Sequence, residues 1–238
     1  MAPGAVEAMA DSFSRHVPST QIPALFSLRG KTVAITGGGR GLGLTLAFAV
    51  IEAGGHAALL DLLPEPSEPE YSALAKLAKS SCLTVSYRKC DVTSEAEVTT
   101  VLEAIEDEGS KVGAPLGGMV ACAGIQQRVP ALDYEASDFE RILRVNVVGA
   151  FISVKRTARI LKEKGRNGSI VLIASMSGEI ANRGLTCTAY NSSKSAVHQM
   201  CRSLAQEWGQ YGIRVNTLSP GVSTPLLHEH GSFWESLG

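Results

Sequence analysis

Short apolar runs alternate with longer amphipathic stretches along most of this sequence. The short runs are rich in Val, Ile, Leu and Ala, which is typical of strands buried on both faces of a parallel sheet. In the longer stretches, apolar residues recur every three or four positions, the spacing of one helix face. The pattern predicts strands over Thr32–Thr36, His56–Asp61, Leu83–Arg88, Gly117–Cys122, Ser169–Ala174 and Ile213–Leu218. It predicts helices over Leu42–Ala53, Tyr71–Lys79, Glu95–Glu108, Ser137–Lys164 and Ala189–Trp208.

Strands that alternate with helices in this way predict an α/β fold. Right-handed crossovers between successive strands would build a doubly wound, mostly parallel sheet of the Rossmann type. Pro64, Pro66 and Pro69 interrupt the start of the second helical stretch, so this connection is predicted to be a loop. Residues 1–28 have no sustained period and are predicted to be a flexible arm. Residues 29–238 contain no linker and are predicted to form a single domain.

Composition and charge exclude several classes of function. The 238 residues carry a formal net charge of −1, so electrostatic attraction to nucleic acid or anionic lipid is weak. No apolar run reaches the roughly 18 residues of a membrane-spanning helix. The five cysteines form no CxxC pair, and the N-terminus lacks the pattern of a signal peptide. We therefore expect free thiols and a cytoplasmic protein that binds neither nucleic acid nor membrane.

A glycine-rich loop follows the first predicted strand and precedes the first predicted helix. It reads TGGGRGLG over residues 36–43. Glycines permit the tight turn and close backbone approach that a phosphate requires, and the helix N-terminus presents unpaired N–H groups to it. Because the loop lies between a strand and a helix, it predicts a dinucleotide-binding site. The predicted contacts are Gly37, Gly39, Arg40, Gly41, Leu42 and Gly43.

Two side chains bear on which nicotinamide dinucleotide is bound. Asp61 ends the second predicted strand, roughly 20 residues after the loop, where a carboxylate hydrogen-bonds the adenosine ribose. It would repel the 2′-phosphate of NADP, whereas the guanidinium of Arg40 could hold that phosphate. We expect NAD(H) to be preferred, and Arg40 leaves NADP(H) open as the alternative.

Three side chains suit the transfer of a hydride between a secondary alcohol and a ketone. Tyr190 and Lys194 are four residues apart in a predicted helix and therefore project from one face. Ser175 follows the fifth predicted strand, at the carboxyl edge where such sheets bind ligands. The ammonium of Lys194 and a positive nicotinamide ring would lower the pKa of the phenol from about 10, so that Tyr190 exchanges the proton. Ser175 would donate a hydrogen bond to the developing oxyanion.

With these motifs the sequence resembles the short-chain dehydrogenase/reductase family over about residues 28–227. Further matches are Asp91-Val92 after the third strand, ACAG over residues 121–124, Asn146 in the long helix and Pro220-Gly221. The resemblance implies that Asp91 contacts adenine and that Asn146 holds a water in the proton relay. The catalytic residues that it implies are Ser175, Tyr190, Lys194 and Asn146. The further cofactor contacts that it implies are Asp91, Val92, Ala123, Gly124, Asn146, Tyr190, Lys194, Pro220, Gly221, Val222 and Thr224.

The residues around Ser175 resemble one branch of that family. The sequence Ala-Ser-Met-Ser-Gly looks like the fungal-type polyol and ketose reductases, which act on mannitol, arabinitol, xylulose or sorbose and use the earlier serine. Ser175 is therefore predicted to be catalytic, and Ser177 to be a second hydroxyl that lines the pocket. Together with Glu179, Asn182 and Arg183, it favours a hydroxylated substrate. A polyol/ketose pair is expected, and a carbonyl intermediate of a biosynthetic pathway is the alternative.

The sequence departs from the family pattern at two places. Cys122 stands where the family usually has an asparagine that joins neighbouring strands. Only residues 222–238 follow Pro220-Gly221, which is short for the usual lid, helix and seventh strand, so the sixth strand is expected to be an exposed edge. Binding of a dinucleotide without catalysis is therefore a third hypothesis. The protein is expected to be a homo-oligomer, and the sequence does not decide between a homodimer and a homotetramer. His228 and His230 lack a third ligand, and no metal site is predicted.

Overall fold

The structure, a computed structural model, describes residues 26–221 of the chain. Its strands are β1 (Thr32–Thr36), β2 (His56–Asp61), β3 (Val85–Lys89), β4 (Leu116–Ala121), β5 (Gly168–Ile173) and β6 (Ile213–Leu218). Its α-helices are α1 (Gly41–Glu52), α2 (Glu70–Ser80), α3 (Glu95–Lys111), α4 (Ala136–Leu143), α5 (Ala150–Glu163) and α6 (Thr188–Trp208). A π-helical segment, Arg144–Gly149, joins α4 to α5, and a 3-10 turn, Met176–Gly178, follows β5.

The strands form one parallel sheet in the order β3-β2-β1-β4-β5-β6. The chain runs outwards from β1 to β3 on one side of the sheet and from β4 to β6 on the other. Parallel strands place all their carboxyl ends at one edge. The loops after β1 and β4 diverge at this edge, and such a reversal of strand order is where α/β sheets bind ligands. The predicted fold of the Rossmann type is confirmed.

Apolar side chains pack on both faces of the sheet. One cluster combines the sheet with α3, α5 and α6 and includes Leu102, Leu161 and Val197. The other combines it with α1 and α2 and includes Ile35 and Leu74. All residues of β1 are buried, because this central strand is covered by helices on both faces. No helix within residues 26–221 combines the length and the hydropathy needed to cross a bilayer.

The bounds of the elements differ from the predicted ones by at most three residues, apart from the long helix predicted over Ser137–Lys164. β1, β2 and β6 have the predicted bounds, whereas β4 and β5 begin and end one residue earlier. β3 begins at Val85 because the N–H of Leu83 bonds instead to the carbonyl of Ala78 near the end of α2. α2 begins directly after Pro69, which agrees with the loop predicted there.

The prediction of one continuous helix over Ser137–Lys164 is wrong. The structure interrupts it with the π-helical segment between α4 and α5. A π turn contains one more residue than an α turn and occurs mostly at functional sites. The apolar pattern does not reveal it, because Ile142 before the segment and Val154 after it are both fully buried. The segment places Asn146 in the interior.

Candidate active site

The glycine loop after β1 packs closely against α1 and against the chain that follows β4. Gly37 and Gly41 have φ angles of +65° and +53°, a region that glycine enters without strain. A Cβ atom at Gly37 would lie 2.8 Å from the Cα atom of Ala123, and one at Gly43 would overlap the carbonyl oxygen of Gly37. The loop therefore requires glycine for both its conformation and its close contacts.

The N-terminus of α1 fits a pyrophosphate. Arg40 occupies the N-cap position without a side-chain cap hydrogen bond, and no acidic residue lies in the first turn. The first N–H groups of a helix have no intrahelical acceptor and carry the positive end of its dipole. A pyrophosphate supplies both the oxygen acceptors and the negative charge that this end of the helix lacks.

Asp61 lies beside the glycine loop at the end of β2. Its Oδ2 atom accepts a hydrogen bond of 2.9 Å from the N–H of Gly39, and its Oδ1 atom accepts one of 3.2 Å from the N–H of Leu63. Its negative charge adds to the effect of burial in raising the pKa of Tyr87 to about 12. The side chain of Arg40 is exposed on the same loop. The two groups predicted to discriminate between the dinucleotides thus belong to one region of the site.

Thr36, at the end of β1, joins this strand to the loop after β4. Its Oγ1 atom accepts hydrogen bonds from the N–H groups of Cys122 (3.1 Å) and Ala123 (3.2 Å). Cys122 packs against the cluster under α1, and burial raises the pKa of its thiol to about 11. The thiol is therefore neutral and apolar at neutral pH. Thr36 is not among the site residues predicted from the sequence. Its position directly before the glycine loop is the feature of the sequence that could have identified it.

Asp91 and Val92 follow β3 in the chain and lie against the π-helical segment. The Oδ1 atom of Asp91 accepts hydrogen bonds of 2.8 Å from both the N–H and the hydroxyl of Thr93. Val92 is buried, and a Cβ atom at Gly149 would lie 2.7 Å from its Cγ2 atom. The loop predicted to contact adenine is therefore packed directly against the segment that contains Asn146.

Asn146 links the loop after β4 to α6. Its Oδ1 atom accepts a hydrogen bond from the N–H of Ile125 (2.8 Å), and its Nδ2 atom donates to the carbonyl of Ile125 (2.9 Å). The same Nδ2 atom donates to the hydroxyl of Ser193 (2.9 Å), which in turn donates to the carbonyl of Tyr190 (2.7 Å). A Cβ atom at Gly124 would lie 3.3 Å from Oδ1. The side chain thus holds together two segments that border the site.

Lys194 lies one turn after Tyr190 on the same face of α6, as predicted. Its Nζ atom donates a hydrogen bond of 2.7 Å to the carbonyl of Ile173 and lies 5.5 Å from the centroid of the Tyr190 ring. Burial lowers the pKa of Lys194 to about 8, and the nearby Cys122 opposes part of that effect. The amine is therefore fixed at the carboxyl edge of the sheet, beside the phenol.

Burial raises the pKa of Tyr190 above its usual value of 10.0. A hydrogen bond with the side chain of Ser175 lowers the pKa, but the loss of water around the phenolate has the larger effect. Lys194 is not among the causes that shift this pKa, and the lowering expected from Lys194 together with a positive nicotinamide ring stays a prediction for the cofactor-bound protein. Tyr190 holds its proton at neutral pH and is suited to donate it.

Of the two candidate serines, the structure brings Ser175 to the tyrosine. Its side chain lowers the pKa of Tyr190, and its Oγ atom accepts a hydrogen bond of 3.2 Å from the N–H of Ser177. The hydroxyl of Ser177 instead accepts a hydrogen bond of 2.7 Å from the Nδ2 atom of Asn182. This geometry agrees with the choice of the earlier serine and places Ser177 beside it.

The loop after β6 lies next to the segment that contains Ser175. The carbonyl of Pro220 accepts a hydrogen bond of 3.2 Å from the N–H of Met176, and a Cβ atom at Gly221 would lie 3.5 Å from the Sδ atom of the same residue. The predicted contacts Val222 and Thr224 lie outside the described residues, as do the two near-terminal histidines.

Comparisons with known proteins identify the family of the chain. A family model described as short chain dehydrogenase matches residues 31–232. A short chain dehydrogenase/reductase of Aspergillus versicolor, notP', is 41% identical over 216 residues, which are 87% of this chain and 72% of that protein. The ribulose-forming D-arabinitol 2-dehydrogenase of Candida tropicalis is 36% identical over 241 residues, which are 94% of this chain and 82% of that protein. The NADPH-dependent 3-quinuclidinone reductase of Rhodotorula rubra has a TM-score of 0.77 at 37% identity, covering 88% of this chain and 75% of that one.

The matched region contains all the strands of the sheet and the whole arrangement described above. It includes the glycine loop after β1 and the side chains of Ser175, Tyr190 and Lys194. The resemblance noted from the sequence motifs is thereby confirmed. The chain belongs to the short chain dehydrogenase/reductase family and is an NAD(P)-dependent oxidoreductase that acts on the CH–OH group of its substrate.

Proposed function

We propose that the domain of residues 29–238 interconverts a polyol and a ketose, with NAD(H) as the preferred cofactor. The observation that supports this most directly is the buried amine of Lys194, which lies 5.5 Å from the centroid of the Tyr190 ring and is held by the carbonyl of Ile173, with the side chain of Ser175 acting on the same phenol. A protonated phenol and a serine hydroxyl that meet at one point can both bond to the oxygen of a single carbonyl. This arrangement suits an oxygen atom that gains negative charge as the C–H bond forms.

Tyr190 is the group that moves the proton. In the direction of reduction, it gives its proton to the carbonyl oxygen, and its raised pKa keeps that proton available at neutral pH. In the direction of oxidation, it accepts the alcohol proton and must first be a phenolate. The bound cofactor accepts or supplies the hydride, and its oxidised ring adds a positive charge that favours the phenolate. Lys194 adds a second positive charge when it is protonated.

Polar side chains next to Ser175 support the choice of a hydroxylated substrate. Ser177 and Asn182 are hydrogen-bonded to each other next to Ser175, and the Glu179 carboxylate is exposed nearby. Polar groups of this kind reject substrates that lack a matching hydroxyl. The similarity to D-arabinitol 2-dehydrogenase supports the same choice. The similarity to 3-quinuclidinone reductase supports the alternative, in which the substrate is a less polar ketone of a biosynthetic pathway.

The position of Asp61 supports NAD(H) over NADP(H). Two main-chain hydrogen bonds orient its carboxylate beside the glycine loop, where it can accept bonds from ribose hydroxyls. The same negative charge would repel a 2′-phosphate. Arg40 is the group that would bind such a phosphate, and its side chain is exposed on the loop rather than held against it.

Steady-state turnover with a panel of substrates tests the proposal. D-arabinitol, xylitol and galactitol are assayed with NAD+ and NADP+, and the matching ketoses and 3-quinuclidinone with the reduced cofactors. We expect turnover of polyols and ketoses, faster with the NAD pair. Tyr190→Phe should lower kcat by about 100-fold or more and leave the NADH dissociation constant unchanged. Tyr211→Phe, on the outer surface, is the matched control and should behave as the parent protein.

The same panel separates the alternatives. Turnover of 3-quinuclidinone alone would overturn the polyol assignment and favour the biosynthetic ketone. Tight NADH binding without turnover of any compound would favour the hypothesis of binding without catalysis. Equal activity of the Tyr190→Phe variant would show that another group moves the proton.

We infer further that the protein is cytoplasmic and forms a homodimer or homotetramer. All five cysteines are free thiols, which suits a reducing compartment. Phe151 on α5 is 38% exposed with Lys155 beside its ring, and a second copy could cover this apolar side chain. Light scattering measures the oligomeric state and cell fractionation the location. A monomer in solution, or recovery with membranes, would contradict the respective inference.

A further inference from the structure

Side chains on one side of α6 reach three main-chain oxygens, one on the last residue of β5 and two in the segment that follows it. The contacts are Lys194 Nζ with Ile173 O (2.7 Å), His198 Nε2 with Ser175 O (3.4 Å) and Ser195 Oγ with Gly178 O. This segment contains the serine hydroxyl that bonds to the catalytic phenol. α6 therefore contacts the main chain before Ser175, at Ser175 and after Ser175.

His198 also reaches a second loop of the site. Its Nε2 atom lies 3.4 Å from the Oγ atom of Ser219, which directly precedes Pro220-Gly221. The imidazole thus lies between a loop from β5 and a loop from β6. One of these loops contains the Ser175 hydroxyl, and the other is expected to contact the nicotinamide. Among the side chains of residues 26–221, His198 alone has a hydrogen-bond contact with both Ser175 and Ser219.

The surroundings of His198 fix which ring nitrogen carries a proton. Nε2 faces the carbonyl of Ser175, which can only accept a hydrogen bond, so Nε2 carries the hydrogen atom. The same N–H is shared with the Ser219 hydroxyl. The nearest charged group is Glu179, whose Oε1 atom lies 3.6 Å away on a side chain that is 68% exposed. Nε2 is therefore the donor to the main-chain oxygen of Ser175.

Tight packing keeps the imidazole in place. The residue is only 9% exposed, and a Cβ atom at Gly178 would lie 2.8 Å from the Cδ2 atom of its ring. The backbone of Lys194 would lie 2.7 Å from the same Cβ atom. The glycine at position 178 thus allows the 3-10 turn to lie directly on α6, with the ring of His198 under it.

We propose that His198 is a positioning residue that, together with the main-chain bond from Met176 to Pro220, fixes the Ser175 hydroxyl relative to the Pro220-Gly221 loop. It does not touch the reacting atoms. By donating from one nitrogen to both loops, it aligns the oxygen-binding hydroxyl with the place of the nicotinamide. The proposal rests on the proposed function for Ser175, and its effect on the loop after β6 is measurable as cofactor affinity without any turnover.

Two substitutions distinguish the effect of the hydrogen-bond donor of His198 from the effect of the space that its ring fills. His198→Gln places an amide N–H near the position of Nε2, whereas His198→Leu fills similar space without a donor. Kinetic constants are measured with the substrate that the parent protein turns over, and the NADH dissociation constant by fluorescence titration. The midpoint of thermal unfolding is measured for each variant. Gln199→Leu, the exposed neighbour on α6, is the matched control.

The expected result is a change in kcat and in the NADH dissociation constant without a change in the substrate KM. A purely structural role would not give this combination. His198→Leu should lower kcat about 3- to 10-fold and raise the NADH dissociation constant about threefold, with the substrate KM nearly unchanged. His198→Gln should recover both constants to within about twofold of the parent. Equal losses in both variants, or a change in thermal midpoint alone, would overturn the proposal. If the parent turns over no substrate, the proposed function fails, and the dissociation constants still decide the role of His198.

Discussion

The Nζ atom of Lys194 lies 2.7 Å from the main-chain oxygen of Ile173, the last residue of β5. This hydrogen bond holds the amine at the carboxyl edge of the sheet, and the residue is only 4% exposed. Burial disfavours an ammonium relative to a neutral amine, so the pKa of Lys194 falls to about 8. The contact that places the amine beside Tyr190 therefore also makes its charge sensitive to mildly alkaline pH.

This lowered pKa predicts a pH dependence of stability. Between about pH 8 and the ordinary lysine value of 10.5, the unfolded chain binds a proton on Lys194 that the folded protein has released. The unfolded state binds more protons there, so the contribution of Lys194 to the free energy of unfolding rises with pH. Below the folded pKa the full cost of burying the ammonium is present.

Lys194→Met removes this titration and is the variant to compare. The wild-type protein should gain stability relative to the variant as the pH rises from 8 to 10.5, and the difference should be flat below about pH 7. Urea denaturation at closely spaced pH values measures it, and the comparison cancels the titration of most other groups. Parallel curves for the two proteins would mean that Lys194 is not desolvated.

Cofactor preference should respond to the charge of Asp61. Asp61→Asn retains an oxygen that can accept from the N–H of Gly39 but removes the negative charge beside the ribose site. The NADPH dissociation constant should fall about tenfold, and that of NADH should change less than about threefold, because only NADPH carries the repelled phosphate. Fluorescence titration with both nucleotides measures this.

Two further variants test the origin of that effect. Asp107→Asn on the exposed side of α3 changes the net charge equally and should leave both dissociation constants as they are. Arg40→Leu should weaken NADPH binding, since it removes the cation that would hold the 2′-phosphate. An Asp61→Asn variant with an unchanged ratio of the two constants would refute the role of the carboxylate.

The features that the sequence predicted well are local in the chain. The order of strands and helices follows from runs of apolar residues, and the placement of Tyr190 and Lys194 on one face follows from a four-residue spacing. The glycine loop is identified by its own residues. Each of these is determined by neighbours within a turn or a strand, and the parallel topology follows because helices alternate with strands.

The features that it missed depend on contacts between distant segments. The hydroxyl of Thr36 bonds to the chain after β4, and His198 bonds to loops from two strands. The pKa of Tyr190 also depends on how much water the folded chain excludes, which the spacing of Tyr190 and Lys194 does not show. The π-helical segment around Asn146 leaves the apolar pattern unchanged on both sides. No spacing rule contains this information.

Two glycines of the loop allow the cost of a steric overlap to be compared with the cost of a positive φ angle. Gly43→Ala would place a Cβ atom on the carbonyl oxygen of Gly37, within the turn itself. We expect NADH binding to weaken more than about tenfold and the free energy of unfolding to fall by about 2 kcal/mol or more. Gly41→Ala meets no atom within 4 Å and bears only the cost of φ +53°, which is about 1 to 2 kcal/mol. Titration and urea denaturation measure both effects, and equal results for the two variants would contradict the packing argument.

Asn146 should contribute to stability as well as to the position of the catalytic helix. Asn146 is buried, and Asn146→Leu leaves the N–H and the carbonyl of the half-buried Ile125 without their side-chain partner. Because unsatisfied buried groups are costly, the free energy of unfolding should fall by about 2 to 4 kcal/mol. Ser193→Ala removes a single hydrogen bond to Asn146 and should cost about 1 kcal/mol. Urea denaturation gives both values, and Asn216→Leu at an exposed position of β6 is the control. If Asn146→Leu were no less stable than Ser193→Ala, the bonds to Ile125 would not hold the loop after β4 against the π-helical segment.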